Sequence, residues 1–145
     1  VSRLSGLDGN AKMGKSLGNA IYLSDSAQDV QNKVRKAVTD PARITKDIPG
    51  NTDICNVAKY HKIFTPGEYD NICSMCRNAT IGCVACKKIL TTSLNTLLDP
   101  MREKRAYYEN NRDLVTQIIH EGTAKANTIG NETVQMMKDA MHLSI

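Results

Sequence analysis

No stretch of the chain keeps together the roughly 18 apolar residues that a membrane-spanning helix requires. Yet 41% of its 145 residues are hydrophobic, enough for a modest core. A basic segment leading into an apolar one is also missing, so no secretory signal is expected. Charge of one sign is scarcely in excess. The 19 Lys and Arg against 15 Asp and Glu leave +4, which permits nucleic-acid binding without demanding it. There is no internal repeat, no low-complexity tract and no Ser-His-Asp or Cys-His constellation, and His61, His120 and His142 are scattered. The five cysteines are odd in number and cannot all pair within one chain. Without a secretory signal, a reducing cytoplasm and metal-ligand duty are expected rather than a disulfide framework. The chain starts at Val1 rather than Met and meets its first motif within about fifteen residues, as expected of a piece of something longer.

Residues 1–25 read as loop and short strand, punctuated by Gly6, Gly9, Gly14 and Gly18, with Ala20–Leu23 as the apolar run. Helical periodicity then takes over. Ser26 and Asp29 have the spacing of a capping box, and Val30, Val34, Ala37 and Val38 fall on one face. Asp40-Pro41 stops that helix, and Pro49-Gly50 marks a loop. A second helix after Asp53 has Ile54, Val57, Tyr60, His61 and Phe64 as its apolar side. Thr65-Pro66-Gly67-Glu68 combines a cap, a proline at the first helical position and an acidic residue at the third, opening a helix to about Cys76. Beyond the turn Asn78–Gly82, Leu90, Leu94, Leu97, Leu98 and Met101 mark a long amphipathic helix that Pro100 should kink. Leu114, Val115, Ile118 and Ile119 repeat the pattern, followed by Ala126, Ile129, Val134, Met137 and Met141. Met136, Met137 and Met141 are expected to fill gaps in a core. The fold expected is mainly α behind a short non-helical leader.

Gly9-Asn10-Ala11-Lys12-Met13-Gly14-Lys15-Ser16 satisfies the G-x-x-x-x-G-K-[ST] phosphate-loop pattern. Its context fails that reading. Val1, Leu4 and Leu7 are too few for a buried strand before it, Gly18-Asn19 lie where a helix should begin, and no run of βα units follows. Lys12-Met13-Gly14-Lys15-Ser16 instead resembles the KMSKS loop of class I aminoacyl-tRNA synthetases, with Gly14 replacing a serine. The flanks Gly6–Gly9 and Leu17–Leu23, and the run from Glu121 through Met141, resemble the tryptophanyl-tRNA synthetases in particular.

That resemblance implies a C-terminal piece of such an enzyme: residues 1–25 as the KMSKS-loop end of an α/β catalytic domain, residues 26–145 as a helical anticodon-binding domain. It implies a cytoplasmic, homodimeric ligase that uses ATP with Mg2+ to activate tryptophan and transfers it to tRNA(Trp). Lys12 and Lys15 match the family's catalytic lysines, within an ATP-binding loop of Lys12, Met13, Gly14, Lys15 and Ser16. Their ammonium groups would stabilise charge on the departing pyrophosphate. Gly14 removes a hydroxyl and adds backbone freedom. The family's nucleotide-binding sheet, HIGH motif and tryptophan pocket lie upstream of these residues in the resembled enzymes, so this chain alone is expected to be inactive, and a monomer where the intact enzyme is a dimer.

Cys73-x2-Cys76-x6-Cys83-x2-Cys86 reads, on spacing, as a four-cysteine zinc knuckle. A bacterial subset of the resembled family implies a different set. There, Cys55, Cys76, Cys83 and Cys86 would hold a [4Fe-4S] cluster, with Cys73 spare. The twenty residues between Cys55 and Cys76 are slightly fewer than in the family pattern. The family places such a cluster beside the anticodon, where Arg77, Asn78, Lys87 and Lys88 would face single-stranded RNA. The rival from another class is a non-enzymatic helical RNA-binding module with a zinc site. A second rival, the related tyrosine enzyme, is disfavoured by the C-terminal match.

Overall fold

The computed structural model describes residues 4–143, so Val1 and the outermost ends of both expected domains lie outside the described residues. Five α-helices follow a 3-10 turn at Lys15–Leu17: α1 (Ala27–Lys36), α2 (Asn56–Phe64), α3 (Tyr69–Arg77), α4 (Cys83–Asn110) and α5 (Arg112–Ala140). The mainly α expectation holds. The short strand does not form, and there is no strand among the described residues. Ala20–Leu23 makes no backbone ladder among the described residues, and an unpaired strand has none to stabilise it.

One compact unit runs through Arg102 and a second begins at Glu103. In the first, α1 starts where the sequence puts it. Ser26 Oγ accepts from the Asp29 N–H while Asp29 returns a bond to the Ser26 N–H, closing the capping box. Desolvation opposes it only weakly, and the Ser26 bonds hold the Asp29 pKa down. Val30, Val34 and Ala37 are buried, but the helix ends at Lys36 and Val38 turns outward. From α2, Val57, Ala58 and Tyr60 join Leu90, Leu94 and Leu98 of α4 in the same core. Ile54 precedes the helix and is exposed, as are Leu97 and Met101 on α4. α4 runs through Pro100 without a break.

The leader packs on α2 through polar contacts. Asn56, 2% exposed, donates to the Gly6 carbonyl at 2.8 Å and accepts from Ser5 Oγ at 2.6 Å. Tyr60 donates its hydroxyl hydrogen to the Ser5 carbonyl at 2.7 Å. The start signal at Thr65–Glu68 acts later than its pattern suggests. Thr65 gives its hydroxyl and its N–H to the His61 carbonyl, closing α2, and α3 begins only at Tyr69.

The second unit departs most from expectation. α5 contains no buried residue, and Met136, Met137 and Met141 are each more than half exposed instead of filling a core. A 3.6-residue apolar stripe marks a face suited to burial, but other apolar surface has to cover it.

Candidate functional site

The lysine loop is held by a buried amide. Asn19, 4% exposed, donates Nδ2 to both Asp8 carboxylate oxygens at 3.0 and 3.1 Å and to the Lys12 carbonyl at 3.0 Å. Its Oδ1 accepts the Gly14 N–H at 3.0 Å. Desolvation works to raise the Asp8 pKa, but the hydrogen bonds from Asn10 and Asn19 outweigh it and keep the carboxylate below its usual value. Gly6 has no alternative here, because a Cβ at that position would lie 2.2 Å from Asn19 Nδ2. After Gly14 the chain makes a single 3-10 turn and leaves it through Gly18 at φ 62°. A phosphate loop between strand and helix is therefore absent among the described residues. Lys12, Lys15 and Ser16 are exposed, and Met13 and Gly14 half-buried. A fixed backbone presenting two free ammonium groups suits an anionic, phosphate-bearing partner. The pattern of the motif names the lysines, whereas Asn19 and Asp8 are missed because their role is tertiary.

The cysteines divide. Cys55, at the N-cap of α2, and Cys73 are buried; Cys76, Cys83 and Cys86 are half-buried. Burial pushes the Cys86 thiol up to about 12, with repulsion from Cys55, Cys76 and Cys83 adding to it and Cys73 contributing least. Burial likewise raises Cys76, against the pull of Arg43, with Cys55 and Cys83 again its sulfur neighbours. Cys73 lies beside the Tyr69 hydroxyl and raises that group's pKa, and it lines a hollow with Asp70, Ser74, Arg77 and Asn78.

Three contacts shape the space around Cys76 and Cys86. Gly50 donates its N–H to the Cys76 carbonyl at 3.0 Å, and a Cβ on Gly50 would stand 2.6 Å from Cys76 Sγ. Arg43 Nη1 lies 3.3 Å from the same sulfur. His61, fully buried, sets Nε2 3.3 Å from Cys86 Sγ and Nδ1 2.7 Å from Thr65 Oγ1, and burial lowers its pKa so that the ring is held neutral. No three His, Cys, Asp or Glu side chains among the described residues stand close enough to hold a single metal ion. Cys55, Cys76, Cys83 and Cys86 supply soft thiol donors of the kind that zinc and iron–sulfur groups both take, and Gly50 leaves open the space beside Cys76 that a Cβ would fill.

The four residues expected to meet RNA have different partners. Arg77 Nη2 is held by Thr52 Oγ1 at 2.7 Å, and Asn78 caps the end of α3 beside it. Lys87 donates to the Arg35 carbonyl at 2.9 Å, near the C-terminal end of α1. Lys88 lines a separate hollow with Lys46, Gly82 and Cys83.

The family model for tRNA synthetases class I (W and Y) matches residues 1–99, which contain both the lysine loop and all five cysteines. The chain belongs to that family. It is 39% identical over 97% of its length to the tryptophan–tRNA ligase of Aquifex aeolicus, covering 36% of that enzyme. It is 41% identical to that of Treponema pallidum, covering 97% of this chain and 42% of the relative. The tryptophanyl-tRNA synthetase of Campylobacter jejuni, solved with ADP and tryptophan, shares the fold at a TM-score of 0.86 and 24% identity, over 98% of this chain and 44% of that one. The chain thus spans about two fifths of the length of these relatives. No described helix is long and apolar enough to cross a membrane.

Proposed function

We propose that this chain serves a tryptophan–tRNA ligase, supplying the lysine loop that faces pyrophosphate and a helical region that recognises the anticodon. The observation that carries this reading is the match to tryptophan–tRNA ligases along nearly the whole chain, taken with the Asn19-pinned loop inside it. ATP with Mg2+, tryptophan and tRNA(Trp) are the partners proposed for the whole enzyme.

Attack of the tryptophan carboxylate on the α-phosphorus of ATP forms tryptophanyl-adenylate and breaks the bond to pyrophosphate. Negative charge builds on the leaving group as that bond breaks. Lys12 and Lys15 place two ammonium groups on a loop whose backbone is fixed, so their attraction grows along the reaction coordinate rather than in substrate binding alone. The Gly14 N–H is not free for phosphate while Asn19 accepts it, which puts the weight on the lysine ammonium groups. In the intact enzyme, Lys15→Ala should lower tryptophan-dependent pyrophosphate exchange about a hundredfold or more and leave tryptophan affinity unchanged. Weakened tryptophan binding at an unchanged rate would contradict this role.

We infer further that Cys55, Cys76, Cys83 and Cys86 hold a [4Fe-4S] cluster and that Cys73 does not. What supports this choice is that Cys73 lies beside Tyr69 and acts least on the Cys86 thiol, whereas Cys55 acts most of the four sulfurs. A bound cluster would keep all four thiols deprotonated and join α2, α3 and α4 at one point, ordering the turn after Arg77. Arg77, Asn78 and Lys88 would then offer hydrogen bonds and charge to anticodon nucleotides, with Lys87 holding α1 to α4.

A further inference from the structure

Arg43 is a buried cation without an anion. Its residue is 8% exposed, and a guanidinium stays charged at any pH the protein meets. None of the ion pairs among the described residues involves it. Asp40, three positions before it, gives its oxygens to the N–H groups of Ala42 and Asn51 at 2.9 and 2.8 Å. Arg43 Nη2 donates to the carbonyls of Lys46 and Ile81, both at 2.7 Å. These bonds fix the plane of the guanidinium but bring no net charge to meet it. Nε is buried with no partner at all. The one group within hydrogen-bond reach that can become an anion is Cys76 Sγ, 3.3 Å from Nη1. Burying an ion this way is costly unless a counter-charge arrives.

We propose that Arg43 is the counter-ion of the cysteine-held centre, donating to the Cys76 thiolate and offsetting the negative charge of an iron–sulfur cluster bound by Cys55, Cys76, Cys83 and Cys86. The proposal rests on the cluster reading above. It makes Arg43 a positioning residue: it touches a ligand sulfur, ties the turn at Ile81 to the end of α3 and sets the electrostatics of the site. Net charge and hydrogen bonds to sulfur govern the reduction potential of such centres. One-electron reduction adds negative charge, which a fixed cation stabilises, so removing that cation should lower the potential.

The intact protein is reconstituted anaerobically with iron and sulfide, then titrated with dithionite while the reduced centre is followed by electron paramagnetic resonance. Arg43→Gln should lower the equilibrium constant for reduction about ten-fold, ~59 mV for a one-electron couple. Arg43→Lys, which keeps the charge and loses the planar fork, should recover most of that shift. A fully loaded Arg43→Gln protein with the wild-type potential would overturn the proposal. If Arg43→Gln takes up no cluster, retention by Arg43→Lys supports the need for charge. If neither variant loads, wild-type protein grown with nitrogen-15 arginine decides: a hyperfine coupling between a guanidinium nitrogen and the reduced centre is expected, and its absence overturns the proposal. A wild-type protein that stays colourless and binds no iron fails the cluster reading itself, before any variant is made.

Discussion

The lysine loop and the cysteine group lie in one compact unit and are built on opposite terms. In the loop, the charged groups are exposed and the control is buried: a neutral amide, Asn19, holds the backbone on both sides of Met13 while Lys12 and Lys15 remain in water. In the cysteine group, the reactive atoms are withdrawn. Burial raises the pKa of the Cys76 and Cys86 thiols, and the charge beside Cys76 belongs to Arg43. The difference suits the chemistry proposed for each. Ammonium groups that would meet a transient charge need no desolvation beforehand, whereas thiols proposed to bind a resident group are inert while buried.

Steric change at the cysteine group should have the largest effect. Gly50→Ala puts a Cβ 2.6 Å from Cys76 Sγ and 3.2 Å from Arg43 Cδ, and neither is the loose end of a long side chain. It should abolish metal uptake and cost about 1–3 kcal/mol of stability, with pyrophosphate exchange retained. Iron analysis and thermal unfolding check this, and normal uptake would show that the cradle is not where the group sits.

The loop should respond less in stability and more in rate. Asn19→Ala strips partners from the Gly14 N–H and the Lys12 carbonyl, at a cost of about 1–3 kcal/mol. Hydrogen exchange at the Gly14 amide should accelerate by about ten- to a hundredfold, and adenylate formation in the intact enzyme should slow while iron content stays the same. Coupled loss of both functions would break the separation between the two sites.

A smaller effect concerns the leader that carries the loop. Burial pushes the Tyr60 hydroxyl up to about 12, helped by the charge of Asp8. A raised folded value means that this residue's contribution is full below pH 10, where the unfolded chain's tyrosine ionises, and is lost as pH climbs toward 12. Tyr60→Phe removes the 2.7 Å bond to the Ser5 carbonyl, costs about 1 kcal/mol and should flatten that part of the alkaline profile. An unchanged profile would assign the alkaline loss to other groups.

Much of the helical framework was legible in the sequence because it depends on local chemistry. The Ser26–Asp29 box and the Val30, Val34 and Leu90, Leu94, Leu98 stripes need only neighbours within a turn or two. Thr65-Pro66-Gly67-Glu68 misled by position, since the threonine that should cap the next helix closes the previous one. Lys12 and Lys15 were legible as a motif, and the cysteines as a spacing. Asn19, Gly50 and Arg43 were not, because each acts on a residue brought near by folding, up to 38 positions away for Arg43 and Ile81. The exposed apolar faces of α5 were misread for a related reason: periodicity marks a face for burial without saying what covers it.

Ligand identity at the cysteine group tests the account most directly. Cys55→Ser and Cys73→Ser are made in the intact protein, reconstituted anaerobically and compared by visible absorption and by iron and zinc content. The account predicts that Cys55→Ser abolishes the brown chromophore while Cys73→Ser retains it, with roughly four irons per chain as a [4Fe-4S] centre requires. Loss of metal in Cys73→Ser with Cys55→Ser unaffected, and zinc in place of iron, would contradict it.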